Sequence, residues 1–80
     1  MWINIKNKKP EEEQNVWYYF DFFKRVYPGK FTREDMSYLY DKPEGTYVSD
    51  IFYGESGYLS GDVDWWMPRK EGEEMPIFTM

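Results

Sequence analysis

The sequence predicts a mainly β (α+β) fold, a small antiparallel curled sheet or partial barrel with one short helix. Three observations predict it. The run Val16–Phe23 is apolar on both faces of an extended chain, short extended pieces recur between Pro and Gly, and only one stripe has helical spacing. With 80 residues the chain is expected to form a single domain, 1–80, with a thin core and an irregular tail from about residue 69.

Trp2 to Ile5 reads as a short opening strand, followed by a surface loop at Lys8-Lys9-Pro10-Glu11-Glu12-Glu13, where Pro10 breaks the extended chain. In the next strand Val16, Tyr18, Phe20 and Phe22 share one face, and Trp17, Tyr19, Asp21 and Phe23 the other. Such a strand must be covered twice, by its own core and by a helix, a second subunit or a ligand. Val26-Tyr27 reads as its partner, reaching a turn at Pro28-Gly29. Thr32 followed by Asp35 has the spacing of a helix cap. Met36, Leu39 and Tyr40 then extend a short helix, Arg33 to Tyr40, that Pro43 and Gly45 end. Thr46 to Tyr53 is the next strand, Gly54-Glu55-Ser56-Gly57 a turn, and Tyr58-Leu59 and Val63 to Met67 are short strands closed by Pro68.

Composition narrows the function. There are 18 aromatic residues, ten Ile, Val and Leu, and no Ala, Cys or His. Without Cys and His, most nucleophilic, zinc and neutral-pH proton-transfer chemistry has no side chain to use it. The expectation is a binding protein and not an enzyme, with no cofactor and no metal. The net charge of −5 disfavours free nucleic acid, whose phosphates call for a basic surface. Met1 to Lys9 alternates Ile3 and Ile5 with polar residues, so no targeting or membrane-spanning segment is read there, and the expected location is an intracellular, reducing compartment.

Two clusters invite a site. Asp62, Asp64 and Glu55 lie around two glycine turns, but no complete calcium loop or phosphate-cradling loop surrounds them, and acids beside Gly ordinarily shape turns. Trp65-Trp66 before Met67-Pro68-Arg69 is the better candidate. Adjacent strand residues face opposite ways, so one indole enters the core while the other faces outward, where it can stack on a base with Arg69 supplying charge. The candidate ligand-binding set is Trp17, Tyr19, Tyr58, Trp65, Trp66 and Arg69. The competing use for the same rings is as core, because few aliphatic residues are present to supply buried area.

The order Trp2-Ile3, Pro10-Glu11, Val16-Trp17-Tyr18-Tyr19-Phe20, Phe52-Tyr53-Gly54 to Gly57-Tyr58-Leu59, and Gly61-Asp62-Val63-Asp64-Trp65-Trp66-Met67-Pro68 resembles a family of short phage and prophage proteins. That family is known as domain of unknown function five-five-one. The resemblance covers most of the chain and is weakest from Thr32 to Gly45. Many relatives carry His before the closing Trp where this chain has Trp65, so a histidine-dependent role would be lost here. The resemblance implies a phage setting and a host-cytoplasmic location, not a reaction. In that setting the expectation is a homo-oligomeric counter-defence factor that sequesters a nucleotide-derived immune signal. The alternatives are an acidic, anti-CRISPR-like inhibitor of a defence protein, and a phage structural or regulatory protein.

Overall fold

The computed structural model describes residues 1–54, 57–60 and 63–79, with Tyr58, Leu59 and Ser60 described through their backbone. The strands are β1 (Ile3–Asn4), β2 (Asn15–Phe20), β3 (Arg25–Asp35), β4 (Val48–Gly54), β5 (Gly57–Ser60) and β6 (Trp65–Pro68). They form one antiparallel sheet in the order β1-β6-β2-β3-β4-β5. The mainly β expectation is met by an open sheet, edged by β1 and β5, that does not close into a barrel.

β3 is the longest strand and organises the sheet. It runs straight through Pro28-Gly29, where the sequence suggested a turn. Its first half, Arg25–Lys30, pairs with β2, and its second, Lys30–Asp35, pairs with β4, so Lys30 alone has a strand partner on both sides. Pro28 thus lies in a half-edged stretch, where a missing N–H is tolerated. The actual turn is at Asp21–Lys24, with Lys24 at φ 54°, and it cuts the β2 run at Phe20. Phe22 and Phe23 leave the sheet and are exposed at its tip.

The helix expected at Arg33–Tyr40 is a single 3-10 turn, Ser37–Tyr40. Pairing overrides the local cap signal: Phe31 and Thr32 stand opposite Phe52 and Ile51, and all four are buried. The capping chemistry still operates, three residues later. The Asp35 carboxylate accepts hydrogen bonds from the Ser37 amide at 3.0 Å and from the Ser37 hydroxyl, and its second oxygen accepts from the Gly45 amide at 2.7 Å. Ser37 Oγ in turn accepts from the Tyr47 amide at 2.7 Å, and the Met36 amide donates to Tyr47 O at 2.8 Å. Residues 36–47 are therefore pinned at both ends by one carboxylate and one hydroxyl.

Alternation sorts the aromatic residues onto two faces. On the first, Val16, Tyr18, Phe31, Phe52, Val63 and Trp66 form the buried core, with Ile3, Ile5 and Tyr27 packed against it. On the second, Trp17 and Tyr19 are 5% and 8% exposed. The sequence required a helix, a subunit or a ligand over this second face. The cover is instead the chain's own segment after β6, which packs closely although residues 69–79 hold no strand or helix. Phe78 stacks on Tyr19 with centroids 3.7 Å apart and planes within 8°, and meets Trp2 edge-on at 5.3 Å. Trp2 Nε1 donates to Ile77 O at 3.2 Å and Trp17 Nε1 donates to Glu73 Oε1 at 2.6 Å.

Candidate functional site

Cross-strand register places Trp17 opposite Met67, and Tyr19 opposite both Val26 and Trp65, so Trp17, Tyr19 and Trp65 share the second face. Trp66 does not belong with them. It points into the core, 2% exposed, with its indole N–H donating to Lys8 O at 2.8 Å. The tandem tryptophans thus split as the strand period requires, but the outward one, Trp65, is half-buried and has Phe78 at 6.1 Å. Tyr58 stands opposite Tyr53 in the ladder, and its side chain lies outside the described residues. Glu55 and Asp62 also lie outside them, and Asp64 is exposed.

Arg69 reaches inward. Its Nε donates to Val16 O and its Nη2 to Gly29 O, both at 3.2 Å, and its guanidinium carbon sits 5.7 Å from the centroid of the Trp17 ring. It clamps β2 to β3 while neutralising no carboxylate among the described residues.

Beside this clamp the second face remains open. A groove of about 300 Å³ is lined by Asn15, Pro28, Gly29, Lys30, Tyr53, Gly54 and Arg69. Its floor is backbone. A Cβ on Gly29 would lie 2.3 Å from Tyr53 O and 2.8 Å from Tyr18 Cε1, and one on Gly54 would lie 2.5 Å from Pro28 O. No side chain fits at either position, so the close approach that forms the floor requires glycine. The register Asn15–Lys30–Tyr53 sets an amide, an ammonium and a phenol side by side on one face. Tyr53 OH donates to Glu13 Oε2 at 3.4 Å. Lys30 is half-buried and has no ion pair among the described residues. On a chain of net charge −5, Lys30 and Arg69 bring two positive charges to this groove, and Glu13, bonded to the Tyr53 hydroxyl, brings one negative charge.

The structure thus brings Trp17, Tyr19, Trp65 and Arg69 together, removes Trp66, and adds Asn15, Lys30 and Tyr53. Sequence reasoning missed these three because Pro28-Gly29 and Gly54 read as turns, which hid the fact that they floor a groove. Among the described residues no group of three His, Cys, Asp or Glu could hold a metal ion, and no helix is long and apolar enough to cross a membrane. No family model, no curated protein and no solved structure matches the chain.

Proposed function

We propose that this is a non-enzymatic binding protein that sequesters a small, nucleotide-like anion in the Lys30–Tyr53–Arg69 groove. The observation that carries the reading is a half-buried Lys30, without an ion pair among the described residues, lining the same groove as Arg69 on a chain of net charge −5. Lys30 and Arg69 supply charge for a phosphate, Tyr53 a ring for a base, and Asn15 an amide that both donates and accepts. The groove volume is at the small end of that of ligand sites. The rings first suggested as the platform are engaged within the chain: Phe78 stacks on Tyr19 and lies 6.1 Å from Trp65, and Trp17 is held by Arg69 and Glu73. The phage counter-defence setting rests on the sequence resemblance.

Calorimetry against a panel of cyclic nucleotides and ADP-ribose-type compounds tests this. At least one should bind the native protein and bind Lys30→Gln about tenfold more weakly, the loss expected for one charge-assisted contact. If no member of the panel gives heat, the reading is wrong.

A second reading, a protein-directed inhibitor of a defence complex, is favoured by a different surface. Tyr38, Leu39, Tyr40 and Tyr47 are exposed on the loop held by Asp35 and Ser37, with Val48 exposed where β4 begins, among Glu34, Asp41 and Glu44.

A further inference from the structure

The two ends of the molecule each expose aromatic side chains, and they carry opposite charge. At the β2–β3 tip Phe22 is 81% and Phe23 56% exposed, packed edge-on to one another with centroids 5.1 Å apart. Within the turn, Lys24 and Arg25 flank them against one acid, Asp21, whose ion pair with Lys24 is long, at 3.4 Å, and exposed. At the other end Tyr38 is 74% exposed, with Leu39, Tyr40 and Tyr47 also open to solvent, and Tyr40 and Tyr47 pack at 4.9 Å. Residues 34–48 hold four carboxylates, Glu34, Asp35, Asp41 and Glu44, against one base, Lys42. The 11 residues of β3 join the two ends and, at about 3.3 Å each, hold them roughly 33 Å apart in a molecule 41 Å long.

We infer that the basic aromatic tip of one copy docks on the acidic aromatic loop of a second copy, giving head-to-tail self-association. The occupant follows from complementarity. Each patch is apolar enough to gain from burial, and the tip's cations meet the loop's carboxylates only in a head-to-tail arrangement, since tip-to-tip or loop-to-loop contact opposes like charges. Because the patches lie at opposite ends of a rigid strand, the contact is heterologous: each copy keeps one free tip and one free loop, so association continues unless it closes into a ring. The loop is suited to this role because the Asp35–Ser37 network fixes it before contact, which reduces the ordering cost on binding. The patches are small, so association is weak and salt-sensitive.

Sedimentation velocity over a concentration series tests the inference with the full chain. The native protein should grow in apparent mass with concentration, less so at high salt. The tip variant Phe22→Ser/Phe23→Ser and the loop variant Tyr38→Ser/Leu39→Ser should each be monomeric, with unchanged circular dichroism. Mixed in equal amounts, they should form a one-to-one pair that grows no further, because each supplies the patch the other lacks. A native protein that stays monomeric throughout overturns the inference and leaves the loop to a foreign partner. A mixture that stays monomeric, or a tip variant that still assembles, overturns it as well.

Discussion

Asp35 shows how one side chain replaces a predicted helix. Three donors converge on its carboxylate, and the Ser37 hydroxyl, followed by the Ser37 and Gly45 amides, holds its pKa below the usual value of 3.8. Hydrogen bonds to a charged form favour that form. Because the folded value is depressed, the contribution of Asp35 to stability is complete above the unfolded value and is lost as pH falls through the folded one. The native protein should therefore release the 36–47 loop on acidification below pH 3.8, seen as a change in the Gly45 and Tyr47 amide signals in NMR titration. Asp35→Asn should show the released signals already at neutral pH, and those signals should be insensitive to acid. The sequence displayed the acid, the serine and the glycine. What it did not display was that Gly45, ten residues away, returns to the same carboxylate.

At the scale of elements, the segment after β6 decides what the second face can do. Local signals read it as irregular and gave it no packing role, but its side chains seal the sheet. Phe78 is the main anchor, and the exposed Met75 and Ile77 are not. Replacing Phe78 by Ala should cost about 1–2 kcal/mol, the value of a partly buried ring and its aromatic contacts. It should also make Trp2 and Trp65 more accessible to acrylamide quenching of tryptophan fluorescence. The strand β3 teaches a related lesson. Pro28-Gly29 has the composition of a turn, but no residue-level rule reports that β2 and β4 hold the strand extended from either side of Lys30.

For the whole molecule, a thin core makes binding visible in stability. The buried core cluster numbers six among the described residues and an 80-residue domain buries a modest share of its surface, so folding free energy is small and a ligand adds a large fraction to it. A nucleotide at 100 times its Kd contributes about 2.7 kcal/mol, which in a domain of this size raises Tm by roughly 10–20 °C. Differential scanning fluorimetry should show this shift for the ligand identified by calorimetry and a much smaller one for Lys30→Gln at the same concentration.

The sequence by itself determined the mainly β class, most of the strands, the division of Trp65 from Trp66, and the need to cover β2 twice. Each follows from the two-residue period of an extended chain, which is local. Only the tertiary structure decided what covers the second face, which residues line the groove and which aromatics remain outside. Those outcomes depend on register between distant segments: Lys30 gains Asn15 and Tyr53 as neighbours, and Tyr19 gains Phe78, through pairings that no spacing along the chain encodes. The aromatic surplus therefore divides by contact and not by composition. Among the described residues most of it packs within the chain, and what remains exposed lies chiefly at the two ends.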